Sequence, residues 1–371
     1  MDRAVLRNLI DGRGPFASVY LDATHDTEDS GKEIDLRWRA LRKRLAEQDA
    51  GEPTLTALDE AIRERPPAIG RAGRLLIATG DRVLVDEYLT DPPPAPVARV
   101  SPLPYLVPLV IAGPRCVPHV VVLVDKVGAD LRAVDGAGTT VAAYTVEGRD
   151  HPVHKVRGAG WSHRTVQAHA DATVTHNIDQ VAGETAQLVE RTKARLLVLA
   201  GDIEPRTLLR RALPDSCAKI AAEVDTGRRA EGSDRDAFER DVRELVAEQW
   251  RLEHGKRLER FRAELGRGAG RAVQGLGPTT EALRQANVEL LVIDDPAFGD
   301  KTVWAGQRPQ LVAVEEAELS SMGATEGAPG RADEVLPAAA IAVGADLLAE
   351  TPELGDPVPL TDGVGALLRH D

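Results

Sequence analysis

HVVVLVD, residues 119–125, is a short and nearly continuous run of apolar, mostly β-branched side chains. Such a run is typical of a strand that is buried on both of its faces, so it predicts a strand in the middle of a sheet. Two further strands are predicted directly after it, at residues 131–134 and 140–145. We therefore expect this part of the chain to be built around a sheet that lies inside the protein.

Helical and strand patterns alternate downstream of this run. Residues 165–192 and 204–213 are predicted to be helical, and RLLVLA at residues 195–200 is predicted to form a strand between them. This order predicts helices packed on a mostly parallel sheet. A long helix follows over residues 234–265, where acidic and basic residues are closely matched. Ion pairs between residues four apart account for that mixture without any functional role.

The flanking sequence predicts one domain on each side. Upstream, an α+β domain contains a strand, two helices and a hairpin, predicted at residues 16–21, 32–48, 54–65 and 74–85. A proline-rich passage, residues 91–114, then predicts an extended connector without helix. Downstream, a helix at 278–286 and a strand at 288–294 predict another α/β domain. We expect three domains, at residues 1–114, 115–265 and 266–371.

Composition limits the classes of function. The net charge of the 371-residue chain is −13, which argues against a general nucleic-acid coat and requires any RNA contact to be made by local patches. Cys116 and Cys217 are isolated in sequence, so we expect two small buried hydrophobic residues and no zinc site or disulfide framework. No signal peptide and no membrane span is predicted, so we expect a cytoplasmic protein without membrane partners.

One local patch is basic. Residues 149–164 carry four basic side chains and the single acidic residue Asp150, and residues 149–176 hold five of the nine histidines. Glycines and an indole at its centre suit a loop tip that contacts RNA phosphates and stacks on bases. An ordinary solvated loop is the alternative. The predicted RNA-binding residues are His154, Lys155, Arg157, Gly158, Ala159, Gly160, Trp161, Ser162, His163 and Arg164.

No catalytic signature is found among the common nucleotide-binding, serine-hydrolase and zinc-protease motifs. Asp125 at the end of a central strand could ligate a metal in an RNase H-like nuclease, although a turn-initiating aspartate is the favoured interpretation. His169 and His176 could share a metal on one helix face, but surface histidines at that spacing are more common. We therefore predict a binding protein with no catalytic residues, no metal and no cofactor.

The chain resembles the archaeal and eukaryotic class-one peptide-chain release factor and Pelota superfamily. Its most specific part is GRAVQGLGPTTEALRQANVELLVID, residues 270–294, which is similar to the start of the family's third domain. The likeness is greatest to the actinobacterial Balon-like ribosome hibernation factors. It implies three domains, with an RNase H-like middle domain and an L7Ae-like C-terminal domain. It also implies that the first domain faces the decoding centre, that the basic loop faces the peptidyl-transferase centre, and that the last domain contacts elongation factor Tu.

The sequence departs from this family at two functional motifs. Release factors carry Gly-Gly-Gln at the tip of the middle domain, whereas this chain has Gly158-Ala159-Gly160-Trp161-Ser162 and no glutamine before Gln167. The Asn-Ile-Lys-Ser motif of stop-codon recognition is also absent from the sequence. We therefore predict a non-catalytic hibernation factor that binds ribosomal RNA in the vacant A site together with elongation factor Tu, and does not bind DNA. The alternatives are an enzyme that hydrolyses peptidyl-tRNA, an RNase H-like nuclease, and an acidic adaptor that never meets RNA.

Overall fold

The structure of the protein is a computed structural model. It describes residues 3–12, 14–26, 30–65, 68, 70–147, 162–227, 229, 235–268, 270–294, 298–299, 301–322, 327–356 and 359–370, with the backbone alone at 3–5 and 162–172. The chain divides into two units, Met1–Pro114 with Glu253–Asp371, and Arg115–Leu252. The predicted domain boundaries at residues 114 and 265 stay a prediction. Among the described residues, no helix combines the length and apolar character that a membrane span requires.

Residues 1–114 form a four-stranded antiparallel sheet with two of their four helices packed on one face. The elements are α1 (Arg3–Ile10), β1 (Phe16–Asp22), α2 (Ser30–Ala46), α3 (Glu52–Glu64), β2 (Gly73–Thr79), β3 (Arg82–Leu89), β4 (Val97–Ser101) and α4 (Val107–Ala112). The strand order is β3-β2-β1-β4. Val19 and Leu21 of β1 and Leu76 of β2 pack with Trp38 and Leu58 of helices α2 and α3. The α+β fold predicted for this part is confirmed.

The proline-rich passage contains more structure than the sequence predicted. β4 pairs with β1 along five residues, and α4 forms a short helix. Pro108 lies in the first turn of α4, where the missing N–H of proline would have had no helical partner anyway, so proline is tolerated there. The prediction of a passage without helix was therefore wrong.

The middle unit is a five-stranded mixed sheet between helices. Its elements are β5 (His119–Val124), β6 (Gly128–Val134), β7 (Thr140–Glu147), α5 (Ser162–Thr192), β8 (Leu196–Gly201), α6 (Ile203–Ala212), α7 (Asp215–Ala218), β9 (Ala221–Glu223) and the first half of α8 (Arg235–Arg267). The strand order β7-β6-β5-β8-β9 puts β5 in the middle, as predicted. An antiparallel meander followed by two parallel strands is the order of the RNase H-like fold. The prediction of a mostly parallel sheet was wrong for the meander, where tight turns join the strands.

Both faces of β5 are covered. Val120, Val122 and Val124 belong to a core with helices α5 and α6. The alternate residue Val121 belongs to a second core, on the opposite face, with Phe238 of α8. Since successive side chains of a strand point to opposite faces, an apolar residue at nearly every position needs a helical layer on each side.

The C-terminal part adds two sheets to the first unit. Its elements are β10 (Ala272–Gln274), α9 (Leu276–Arg284), β11 (Val288–Ile293), β12 (Thr302–Ala305), β13 (Val312–Ala313), α10 (Glu316–Ser321), β14 (Ala328–Arg331), α11 (Ala332–Ala342), β15 (Asp346–Ala349) and β16 (Val364–Leu368). The strand orders are β10-β16-β11-β15 and β13-β12-β14. The second half of α8 packs closely on β16, because a Cβ at Gly365 would lie 2.7 Å from Cζ of Phe261. The predicted helix and strand at residues 278–294 are confirmed.

One hydrophobic core joins the two ends of the chain. Phe16 and Tyr20 of β1 and Leu106 before α4 belong to the same buried cluster as Leu291 of β11 and Leu336 of α11. The second face of the β1 sheet is therefore buried by residues more than 200 positions away in sequence. It follows that residues 1–114 depend on the C-terminal part for burial of their own apolar side chains.

A buried ionic cluster lies at the same junction. One guanidinium nitrogen of Arg99 lies 3.1 Å from a carboxylate oxygen of Asp333 and 3.0 Å from one of Glu334. The guanidinium also stacks 3.6 Å from the ring centre of Tyr105. Arg331 donates hydrogen bonds to both carboxylate oxygens of Asp333, each at 3.0 Å. Burial raises the pKa of Glu334 above its ordinary value, and Arg99 offsets only part of that effect.

The Arg99–Glu334 pair generates a prediction about stability and pH. Because the pKa of Glu334 is raised in the folded state, its contribution to stability is fully present below the unfolded pKa of about 4.3 and is lost as pH rises through the folded value. Glu334→Gln cannot titrate, so we expect this variant to lose less stability than the unchanged protein between pH 4 and neutrality. Urea denaturation at a series of pH values measures the difference.

Arg99→Met is the contrasting variant for that prediction. It leaves the buried carboxylate of Glu334 without its cationic partner, so we expect a loss of about 3 to 5 kcal/mol in the free energy of unfolding at neutral pH. Parallel pH profiles for Glu334→Gln and the unchanged protein would show that the pKa of Glu334 is not raised in the folded state. A neutral effect of Arg99→Met would show that the cluster is not a stabilising contact.

Candidate nucleic-acid interface

The basic segment leaves the middle sheet at one defined edge. Strands β5 and β7 both run antiparallel to β6, and β8 runs parallel to β5. The carboxyl ends of β5, β7 and β8 therefore lie at the same edge of the sheet. β7 ends at Glu147 and α5 begins at Ser162, so the connection between them starts from this edge. Carboxyl edges of open α/β sheets are where ligands commonly bind.

The predicted RNA-binding residues fall mainly between these two elements. His154, Lys155, Arg157, Gly158, Ala159, Gly160 and Trp161 lie outside the described residues. Ser162, His163 and Arg164 are the first three residues of α5, and only their backbone is described. The RNA-binding role of all ten residues stays a prediction.

The described side chains of helix α5 anchor it on the sheet from Val174 onward. Val174 and Ile178 are buried in the core of the middle unit. The buried side chain of Asn177 donates a hydrogen bond to the carbonyl oxygen of Lys126, the second residue after the end of β5. At 1.5 Å per residue, Ser162 lies about 18 Å along the helix axis from Val174. The start of α5 thus lies about three helical turns from the described core contacts of the helix.

Asp125 at this edge is occupied by structural contacts. Its Oδ1 accepts hydrogen bonds from the backbone N–H groups of Val127 and Gly128, at 2.7 and 2.9 Å, and its Oδ2 lies 2.8 Å from Arg229. Arg229 also contacts Asp130 at 3.2 Å. Burial would lower the pKa of Arg229, but the two carboxylates outweigh burial and raise it. The interpretation of Asp125 as a turn-initiating residue is confirmed.

The described residues give a metal-dependent nuclease no support. Across the described ranges, no group of three or more histidine, cysteine, aspartate or glutamate side chains is arranged to hold a metal ion. The side chain of His176 is exposed on α5, and that of His169 is not described. The alternative of a metal on these two histidines stays untested.

The two cysteines offer no activated nucleophile. Both are free thiols, Cys217 fully buried and Cys116 partly so. Burial, with a smaller effect of Asp135, raises the pKa of Cys116 to about 11. A thiol with that pKa stays protonated at neutral pH and is a poor nucleophile. The expectation of small hydrophobic residues is confirmed for Cys217.

The long-range charged contacts of the middle unit were not predicted from the sequence. Arg229 lies 104 positions from Asp125 in sequence. Arg132 and Glu239 are 107 positions apart, and the guanidinium of Arg132 donates two hydrogen bonds of 2.8 Å to the carboxylate of Glu239. The hydrogen bonds from Arg132 lower the pKa of Glu239 more than burial raises it. No local spacing marks such pairs, because they join loops and strands that meet only in the folded chain.

Asp125 generates a prediction about the stability of the middle unit. Asp125→Ala removes the acceptor of two backbone N–H groups and the partner of Arg229, so we expect the free energy of unfolding to fall by about 2 kcal/mol. Asp125→Asn keeps an acceptor for the turn but loses the charge, so about half of that loss is expected. Urea denaturation of the full chain measures both. A magnesium-dependent rise in melting temperature that Asp125→Ala abolishes would contradict this assignment and favour a metal site.

Comparison with known proteins places the chain in a family. Residues 118–267 match the family described as bacterial archaeo-eukaryotic release factor family 2. Two uncharacterized proteins of Mycobacterium tuberculosis, one from strain H37Rv and one from strain CDC 1551, are each 37% identical over 370 residues. Each alignment covers 98% of this chain and 96% of the relative.

Solved structures of translation factors also match along most of the chain. The archaeal termination factor aRF1 is 14% identical with a TM-score of 0.27, and the alignment covers 100% of this chain and 98% of that protein. A ribosome-bound archaeal Pelota is 14% identical with a TM-score of 0.40, covering 99% of this chain and 94% of that protein. Pelota of Archaeoglobus fulgidus is 16% identical with a TM-score of 0.34, covering 81% and 80%. On the family match and the mycobacterial relatives together, this chain belongs to the bacterial archaeo-eukaryotic release factor family.

Proposed function

We propose that this protein is a ribosome hibernation factor, which binds the vacant A site of idle ribosomes with elongation factor Tu and does not hydrolyse peptidyl-tRNA. Membership of a release-factor family supports association with the ribosome. The observation that carries the finer proposal is the sequence between β7 and α5. There a release-factor scaffold holds Gly158-Ala159-Gly160-Trp161 in place of Gly-Gly-Gln.

Electrostatics favour RNA as the partner of this segment. Lys155, Arg157 and Arg164 lie in a stretch with one acidic residue, on a chain with a net charge of −13. An acidic protein is repelled by RNA over most of its surface, so the basic segment determines where and in which orientation it binds. The segment begins at the carboxyl edge of the sheet, which favours contact with RNA at that end of the middle unit.

The chemistry of the segment argues against hydrolysis. In the release factors that the chain resembles, the glutamine of Gly-Gly-Gln helps to position water at the peptidyl-tRNA ester. Trp161 has one N–H donor and no acceptor, so it cannot orient water in the same way. Its indole is instead suited to stacking on a base. The first glutamine after the glycines is Gln167, which lies within α5 rather than before it.

The proposed contact with elongation factor Tu rests on the likeness of residues 270–294 to the family's third domain. β11, at Val288–Ile293, lies at the end of that stretch and is buried in the core that includes Phe16 and Tyr20 of β1. Deleting the C-terminal part would therefore expose the core of residues 1–114. For that reason the contact is tested on the full chain, by adding elongation factor Tu.

Replacement of three cations tests the RNA contact. The first variant combines Lys155→Ala, Arg157→Ala and Arg164→Ala. We expect it to bind vacant ribosomes more weakly, and the slope of log binding constant against log salt concentration to be shallower by about three units, one for each lost phosphate contact. Trp161→Ala is expected to cost about 1 to 3 kcal/mol of binding free energy. The control is Arg191→Ala, Arg211→Ala, Lys219→Ala, which removes three exposed cations elsewhere in the middle unit.

Sedimentation with ribosomes over a range of salt, with and without elongation factor Tu, measures these values. Tighter binding in the presence of the factor is the expected result for the unchanged protein. If the salt dependence of ribosome binding is equal for the segment variant and its control, the segment is an ordinary solvated loop. An affinity that is independent of elongation factor Tu would remove that partner from the proposal.

A peptide-release assay separates the hibernation factor from a rescue enzyme. With ribosomes that carry labelled peptidyl-tRNA, we expect no release above the rate without protein, because the segment offers no residue to position water. A genuine release factor serves as the positive control. Release at a comparable rate, lost on replacement of His163 or Gln167, would contradict the proposal and identify an enzyme that hydrolyses peptidyl-tRNA.

A further inference from the structure

We infer that the solvent face of helix α2 is a second RNA-binding surface, independent of the segment before α5, which contacts phosphates of ribosomal RNA. This inference rests on the proposed association with the ribosome. Helix α2 has six basic and two acidic residues, a net charge of +4, on a chain of −13. The basic residues are Lys32, Arg37, Arg39, Arg42, Lys43 and Arg44.

The charge of α2 differs from that of helices α3 and α8. Its neighbour α3, which packs in the same layer on the same sheet, has four acidic residues and one basic residue, a net charge of −3. The long helix α8 has nine basic and eight acidic residues. A surface that serves only solubility usually mixes both signs, as α8 does. The separation of charge between α2 and α3 therefore requires another explanation.

Part of the positive charge of α2 is used inside the fold. Arg42 lies 3.0 Å from Asp59 and 2.8 Å from Glu52, and both carboxylates belong to α3. Arg37 lies 3.0 Å from Glu33 and 3.6 Å from Asp22. These two arginines flank the buried side of the helix and hold it against its neighbours.

Three of the other basic residues of α2 lie on its outward face in one stripe. Lys32, Leu36, Arg39 and Lys43 are all exposed, and at 100° per residue they fall within about 60° of one another. That stripe is opposite the face that buries Trp38. Within the described parts of the chain, Arg39 forms no ion pair. Lys43 is 80% exposed and only loosely paired with Glu47, at 3.7 Å.

An exposed leucine lies at the centre of this stripe. The side chain of Leu36 is 62% exposed and is the most exposed large apolar side chain among the described residues of the first unit. It lies one turn from both Lys32 and Arg39. An apolar side chain between cations is available to pack on a sugar or a base edge while its neighbours contact phosphates.

The spacing of the cations suits a polyanion. Along the helix axis, Lys32 and Arg39 are about 10 Å apart, and Arg39 and Lys43 about 6 Å apart. Arginine in particular recognises phosphate with a two-pronged contact. A row of separated cations on a rigid helix matches a strand of phosphates better than it matches a single anion. RNA is therefore the partner that we assign to this face.

The test compares two triple variants of the full chain. Lys32→Ala, Arg39→Ala, Lys43→Ala removes the stripe, and Arg63→Ala, Arg71→Ala, Arg82→Ala removes three exposed cations elsewhere in residues 1–114. For the stripe variant we expect at least tenfold weaker binding to vacant ribosomes at low salt and a salt slope shallower by two to three units. The control is expected to stay within twofold. Circular dichroism melting curves confirm that both variants are folded.

The outcomes distinguish this inference from the proposed function. If the unchanged protein binds no ribosomes, the proposed function fails. If it binds and the two triple variants weaken binding equally, only the α2 surface is refuted, because general electrostatics then explain the effect. A photoreactive side chain, Leu36→p-benzoylphenylalanine, identifies the partner. Crosslinks that are digested by ribonuclease support RNA, and crosslinks that are digested only by protease overturn it in favour of a protein.

Discussion

Burial of β5 on both faces is the constraint on which the arrangement of the middle unit depends. An apolar side chain at nearly every position of a strand cannot be hidden by one layer of helices. Helix α5 covers one face and the first half of α8 covers the other. The same requirement fixes where α5 must run, and its first three turns, which precede Val174, hold the C-terminal end of the basic segment. The position of the candidate site is thus a consequence of core packing.

The distribution of charge is the second constraint on function. A net charge of −13 disfavours RNA as a partner for the surface in general, so RNA contact is restricted to places where positive charge is concentrated. We propose two such places, the segment around Lys155 and Arg157 and the outward face of α2. Elsewhere in the described residues, many arginines form ion pairs with carboxylates of the same chain, as Arg229 does with Asp125 and Arg99 does with Glu334.

Elements with strong local patterns could be predicted from the sequence, and elements defined by distant partners could not. HVVVLVD indicated a central strand because its apolar character needs two covering layers, and β5 occupies that position. By contrast, β16 at residues 364–368 was not predicted, since a short strand near the end of the chain becomes apparent only through its pairing with β11. The parallel or antiparallel direction of strands was likewise hidden, because it depends on turn geometry more than on apolar pattern.

The candidate site was predicted through composition rather than geometry. The basic residues and the missing glutamine are visible in the sequence, whereas the contacts of Asp125 with Arg229 are not, because 104 residues separate them. Asp125 is an example, because the sequence alone allowed two roles for an aspartate at the end of a strand, a metal ligand or a turn-initiating residue. Only the positions of two N–H donors and one guanidinium in the fold decide between them.

The shared core of the first unit links the proposed binding surfaces. Residues 1–114 and 253–371 bury the same cluster, which includes Tyr20 and Leu336, and the Arg99 cluster crosses the same junction. The face of α2 and the C-terminal stretch proposed to contact elongation factor Tu therefore belong to one body. Two attachments on one compact unit reinforce each other, because the first binding event raises the effective concentration of the second. An RNA contact at α2 and a protein contact at the C-terminal part would in that way each strengthen the other without any change of shape.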